Sequence, residues 1–175
     1  MSCESKPNSS DFRVTGRKET MDNNQKDKSP FAQLHHISIV VRDIDATAKF
    51  YESIGIGPFK SYPSIKEYVK IDVPDKEGFY NLTIKCAQIG PVELQLIQPG
   101  KGQSLYRDFL EKKGEGVYHL GFVVEDIERS DAEVKTMGLD VISSGRRENG
   151  SGFSYLNTAD KAGVTLLIRQ SPPGN

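Results

Sequence analysis

The same succession of apolar and polar positions occurs twice along the chain. HISIVVRDI spans 36–44 and HLGFVVEDI spans 119–127, with five of nine positions identical at an offset of 83. In each copy a β-branched-rich run gives way to an aspartate and then to apolar residues at helical spacing, which reads as strand, N-cap and helix. The spacing predicts one helix over 45–54, with Phe50, Tyr51 and Ile54 on its apolar face and Gly55 as its stop. A second is predicted over 128–137, with Val134 and Met137 inward and Gly138 as its stop.

Strand-like runs broken at turn residues follow each helix, over 68–73, 81–89 and 92–98 in the first copy and over 141–143, 153–157 and 164–170 in the second. Each copy is thus a βαβββ module, the first over 34–98 and the second over 116–170, joined by a third helix over 104–113. The expected fold class is α+β, two modules packed with pseudo-two-fold symmetry, because either copy alone leaves a strand face unburied. The last strands also match, VELQLIQ against VTLLIRQ, which makes Gln95 and Leu167 equivalent. His36 to Gln95 spans 59 residues and His119 to Leu167 only 48, so the first copy carries 11 more. The extra residues fall around 75–81, as a loop or lengthened hairpin and a candidate lid.

Composition sets the limits of this domain. Residues 1–30 are mostly Ser, Asn, Asp, Lys and Glu, with Phe12 and Val14 their only aromatic or branched aliphatic side chains, and are expected to be a disordered tail. SPPGN closes the chain with breakers, so 171–175 is a second tail and 31–170 the folded domain. Lys and Arg number 23 against 24 Asp and Glu, a net charge of -1, which gives no field to attract a polyanion. A small-molecule ligand, rather than nucleic acid or membrane, is the expected partner, with a homodimer the assembly considered. Cys3 and Cys86 fit neither a disulfide framework nor a zinc motif and read as free thiols of a cytoplasmic protein. No apolar run approaches the length needed to span a bilayer, and the first residues lack the apolar stretch expected of a signal peptide.

Two histidines at equivalent repeat positions change the picture, since a pseudo-two-fold axis brings equivalent side chains to one cleft and imidazole is the commonest metal ligand. His36 and His119 meet this condition, while His35 lies on the opposite strand face. Gln95 shares a strand face with Glu93 and Ile97. Glu93 and Glu67 are the candidate catalytic carboxylates, with Tyr68, Lys70 and Asp72 beside Glu67. Leu167 and Tyr155 are candidate pocket walls, as is Tyr106. Arg146 and Arg147 stand in a polar loop where they meet either solvent or a ligand phosphate or carboxylate.

LHHISIVVRDIDATAKFYESIGIGPF, VELQLIQPGKGQSLYRDFLEKKGEGVYHLGFVVEDI and SGFSYLNTADKAGVTLLI resemble the vicinal oxygen chelate superfamily (glyoxalase, bleomycin resistance, dioxygenase), in its methylmalonyl-CoA epimerase-like and glyoxalase-like branch. The resemblance covers 34–168. It implies paired βαβββ modules in a U-shaped mixed sheet around a central cleft, with a divalent metal held by the first and last strands of each module. His36, Gln95 and His119 fall on three of the four ligand positions, and glutamine is an accepted variant at the second. The fourth, a glutamate in the family, is Leu167 here. The remaining neutral set suits cobalt, nickel, zinc or manganese better than magnesium. An aliphatic side chain also carries no proton, so the family's ligand-position base is missing and the catalytic residue is open between Glu93 and Glu67. Two functions follow: a metal-dependent isomerase or lyase of the methylmalonyl-CoA epimerase or lactoylglutathione lyase type, working through an enolate, or a non-catalytic small-molecule binder of the same fold.

Overall fold

Alternation within the two repeats produces the two central strands, β1 (Leu34–Val40) and β6 (Gly116–Val123), which pair antiparallel with His36 opposite Gly121 and Ser38 opposite His119. These and all following elements belong to a computed structural model that describes residues 29–63 and 65–173. The tail expected over 1–30 lies outside the described residues except for Ser29 and Pro30, and so does Cys3. Pro30 is buried and Phe31 packs edge-on against Phe122, so the ordered wall of the domain reaches back to Pro30.

Each central strand runs into a helix, α1 (Ile44–Ser53) after β1 and α4 (Ile127–Thr136) after β6. The repeat sequence dictates both starts. The Asp43 carboxylate accepts from Ala46 N–H, and Asp126 from Arg129 N–H, the N-cap bond that satisfies an orphan helix donor. A second pair of bonds repeats the symmetry across sequence: Gln98 Oε1 accepts from Ile44 N–H at 2.8 Å and Gln170 Oε1 from Ile127 N–H at 3.0 Å. The glutamine closing VELQLIQ and VTLLIRQ therefore ties each last strand to the helix of its own module.

The remaining elements are β2 (Lys60–Ser61), a 3-10 turn (Ile65–Glu67), β3 (Lys70–Asp72), α2 (Lys76–Tyr80), β4 (Thr83–Ile89), β5 (Val92–Gln98), α3 (Leu105–Lys113), β7 (Val141–Arg146), β8 (Gly152–Leu156), α5 (Ala159–Ala162) and β9 (Thr165–Gln170). One mixed nine-stranded sheet has the order β2-β4-β5-β1-β6-β9-β8-β7-β3. Outward from the centre each half reads first, last, third, second strand of its module, with β1 parallel to β5 and β6 parallel to β9. The outer face carries one core cluster under α1 (Val41, Ile44, Ala48, Leu96) and one under α4 (Ile127, Val134, Leu156, Ile168). Full burial of such side chains contributes about 1.5–3 kcal/mol each. The inner face carries an aromatic cluster that includes Tyr68, Phe79, Tyr106, Tyr118, Phe153 and Tyr155.

Four expectations are corrected. Phe50 and Ile54 are 61% and 59% exposed; the inner face of α1 is Ile44, Ala48 and Tyr51, an i, i+4, i+7 stripe. Met137 caps α4 at 41% exposure, leaving Ile127, Ser130 and Val134 inward. The run 68–73 is not the second strand of the first module: that strand is β2, and β3 crosses to the far edge to pair antiparallel with β7, Ile71 opposite Gly145. The extra residues of the first copy thus carry the chain from one sheet edge to the other across the open side of the cleft. They are also no loose lid, because Asp75 caps α2 through Glu77 and Gly78 N–H and accepts from Gln103 N–H at 3.0 Å. Phe79, 9% exposed, stacks on Phe153.

Candidate functional site

The inner faces of β1, β5, β6 and β9 converge on a cavity of about 60 Å³, whose lining includes His36, Gln95, His119, Leu167 and Tyr155. The symmetry is visible in the register: Gln95 stands opposite Ser38 and Leu167 opposite Gly121, two residues beyond the histidine in each case. His36 fits because residue 121 is glycine; a Cβ there would lie 2.0 Å from the His36 ring. Glu93 and Glu67 do not line this cavity. They line an outer cavity of about 830 Å³, which shares Tyr62, Arg147 and Arg169 with the inner one.

A chain of rings leads inward from that shared boundary. Arg169 Nη1 lies 3.3 Å from His35 Nε2, His35 Nδ1 lies 3.0 Å from His36 Nδ1, and His36 Nε2 lies 2.9 Å from His119 Nε2. An arginine only donates, which fixes the direction of the whole chain. His35 Nε2 accepts, its Nδ1–H donates to His36, and His36 Nε2–H donates to His119 Nε2. His119 then keeps its proton on Nδ1, which has no partner among the described residues. Ser38 Oγ, on the residue facing it across the strands, is likewise unpartnered among the described residues. Burial holds His119 down to about 3 and pushes His36 well below the ordinary imidazole value, with His119, His35 and Arg169 adding to the shift. Both rings are neutral at pH 7, the state a metal ligand requires.

The donor set fits a borderline divalent ion. Two Nε2 atoms 2.9 Å apart have the spacing of neighbouring ligands each about 2.0–2.1 Å from one centre. Gln95 gives its Nε2–H to Glu93 Oε1 at 2.7 Å, which leaves the amide oxygen as a donor. The set is uncharged, since Leu167 stands where a carboxylate would complete it. Among the described residues no group of three or more His, Cys, Asp or Glu is placed to hold a metal; the third donor here is an amide. Ion binding would need both Nε2 lone pairs, so His36 must move its proton to Nδ1 against the direction that Arg169 imposes.

Around this centre the walls are aromatic. The Tyr106 and Tyr155 hydroxyls hydrogen-bond to each other, and burial pushes both up from the ordinary phenol value. Tyr68 is pushed up to about 12 by burial and carries Arg147 over its ring, 4.4 Å from guanidinium carbon to centroid. Arg147 Nε also donates to Glu67 Oε2 at 3.3 Å, on the segment that spans the cleft. Arg146, by contrast, turns to the other face, where it pairs with Glu128 at 2.8 Å and with Asp131. Arg169 is not among the residues expected from sequence, although it falls two residues after Leu167 and hence on the same strand face. Tyr62 carries no such strand-face signal, and Tyr68, named beside Glu67, reaches the site through a long-range crossing that local pattern does not show.

Comparison with known proteins agrees with this architecture. Residues 35–156 match the profile of the Glyoxalase/Bleomycin resistance protein/Dioxygenase superfamily. Among curated relatives, a Bacillus subtilis protein, YqjC, is 28% identical over 138 residues, covering 78% of this chain and 90% of its own. An ethylmalonyl-CoA/methylmalonyl-CoA epimerase of Cereibacter sphaeroides is 26% identical over 143 residues, 79% and 97% of the two chains. A solved methylmalonyl-CoA epimerase in complex with methylmalonyl-CoA and NH4+ superposes with a TM-score of 0.61 at 26% identity, covering 81% of this chain and 95% of that one. The repeat, the sheet order and the converging histidines thus have one common explanation: the chain belongs to the glyoxalase/bleomycin resistance protein/dioxygenase superfamily.

Proposed function

We propose that this chain is an isomerase or lyase of the methylmalonyl-CoA epimerase type, which moves a proton at the carbon beside a substrate carbonyl. The observation that carries the reading is the pair of neutral histidines with Nε2 atoms 2.9 Å apart, contributed by equivalent strands of the two modules beside Gln95. His36, His119 and the Gln95 amide oxygen would hold a divalent ion of the cobalt, nickel, zinc or manganese kind. Such an ion, when bound, supplies Lewis-acid stabilisation of negative charge on substrate oxygens. Tyr155, Leu167 and Phe153 exclude water from the reacting carbon and so strengthen every charge interaction there.

The proton is assigned to Glu93. It shares the strand face of Gln95, and the 2.7 Å bond from Gln95 Nε2 orients its carboxylate on the side of the outer cavity. Glu67 is engaged by Arg147 and serves instead to position the bridge over the cleft. The test is deuterium uptake from solvent into methylmalonyl-CoA by cobalt-loaded protein. Exchange lost in His119→Ala and reduced by at least about 100-fold in Glu93→Gln is the expected result. The second reading, a non-catalytic binder, is favoured by one observation: the described residues lining the inner cavity include no carboxylate. Ligand binding without any exchange would select it.

A further inference from the structure

The last strand of each module presents alternate residues to the inner face. In β5 these are Glu93, Gln95 and Ile97, and in β9 Thr165, Leu167 and Arg169. Ile97, the counterpart of Arg169, is 1% exposed and belongs to the inner core cluster. The second module therefore places a guanidinium where the first places an aliphatic side chain, and it does so two residues from the site that lacks its carboxylate.

That guanidinium has no carboxylate partner among the described residues; its bond is to the ring nitrogen of His35 at 3.3 Å. The acids nearest in the site are engaged elsewhere, Glu93 by the Gln95 amide and Glu67 by Arg147. Arg147 stands at the same boundary with 12% of its side chain exposed, fixed by its stacking on Tyr68. Two arginines thus share one neck between a narrow inner cavity and a wide outer one, and of the two carboxylates lining the outer one Glu67 is paired with Arg147 while Glu93 is bonded to Gln95. A planar guanidinium with unused N–H donors is built for bidentate recognition of an oxyanion.

We propose that Arg169, assisted by Arg147, is the binding site for the carboxylate of a short-chain organic acid. The acid's aliphatic portion enters over Leu167 and Phe153, and any larger attached group leaves through the outer cavity. The inner cavity of about 60 Å³ holds only a few water-sized groups, which restricts the inward part to a small alkyl branch. In this chain the charge that recognises substrate comes from the protein's guanidinium, while the neutral Leu167 position keeps a second anion away from it. The inference deepens the epimerase-type reading and rests on it only for the use of this cavity as the substrate site.

The test is binding without turnover. Full-length protein in chelator and at constant ionic strength is titrated with methylmalonate, acetate and inorganic phosphate, by calorimetry and by thermal shift. Methylmalonate is expected to bind saturably, with affinity at least tenfold lower in Arg169→Gln, partly restored in Arg169→Lys, and lower again in Arg147→Gln. Circular dichroism of each variant checks that the fold is intact. Equal binding by the parent and a folded Arg169→Gln protein overturns the proposal, and so does phosphate binding tighter than any carboxylate. Because chelator removes any ion and no proton transfer is measured, failure here is separate from failure of the exchange assay.

Discussion

At the residue scale the site is a set of buried neutral groups, and two measurable consequences follow. His119 is held down to about 3 by burial, and His36 well below its ordinary 6.5. In the unfolded chain both take up protons as pH falls through about 6.5, whereas the folded chain resists. Their contribution to stability is therefore complete above about 6.5 and is lost as pH falls below it, for His119 down to about 3, at up to about 1.4 kcal/mol per pH unit per ring. Chelated protein should show a lower urea midpoint at pH 5 than at pH 7, and His119→Gln should flatten that slope; identical midpoints in the parent would show the rings are not buried as neutral bases. The second consequence concerns Leu167, which is 4% exposed beside both histidines. Leu167→Glu should raise cobalt or zinc affinity by about 10–100-fold, the scale on which residues supporting a metal site act. A loss of several kcal/mol of stability that added metal does not restore would show position 167 to be closed packing, as expected for an uncompensated buried charge. His36, Gln95, His119 and Leu167 were legible because the repeat fixes their equivalence. Tyr106 and Tyr155 were legible as pocket walls too; Arg169 and Tyr62 were not, because alternation alone does not distinguish a residue at a cavity mouth from one in solvent.

At the scale of elements, capping chemistry and glycine stops located the three longer helices but not α2 or α5, and of the inward positions expected, Tyr51 and Val134 are covered while Phe50, Ile54 and Met137 are not. The stripe through Ile44, Ala48 and Tyr51 is less hydrophobic than the one through Phe50 and Ile54, and only the sheet beneath decides which is covered. The second strand of the first module is just Lys60–Ser61, two exposed polar residues with no apolar pattern to reveal it. The stronger alternation lies over 68–73, whose partner β7 lies about 70 residues later and cannot be read from local pattern. The segment carrying β3 and α2 is consequently a packed wall of the site. Phe79 contacts Tyr68, Tyr80 and Phe153 at centroid distances of 6.2, 5.6 and 5.8 Å. Phe79→Ala should therefore cost about 3–5 kcal/mol, as for other buried aromatic truncations, and should weaken ligand binding at the same time. A change below about 0.5 kcal/mol in denaturant unfolding would restore the expectation of a loosely held lid.

For the whole molecule, β1 pairs with β6 across the centre, and β3 leaves the first half to close on β7 of the second. The modules are thus joined at two places, and the cavity exists only where both meet. Neither half covers its own edge: 29–113 would expose β1 and leave β3 without its partner, while 114–173 would expose β6 and β7. Unpaired strand edges and an uncovered aromatic inner face are unfavourable in water, so each half depends on the other for its stability. The intact chain should unfold in one cooperative step, with calorimetric and van't Hoff enthalpies equal. Cutting after Lys113, an exposed residue beside the positive-φ Gly114 (φ 83°), is the sharper test, because it severs the chain without removing a strand. Fragments 29–113 and 114–173 should each lack near-ultraviolet circular dichroism alone and recover it when mixed, together with cobalt binding. A first fragment that folds alone, with β3 ordered, would show that the crossing is not what joins the halves.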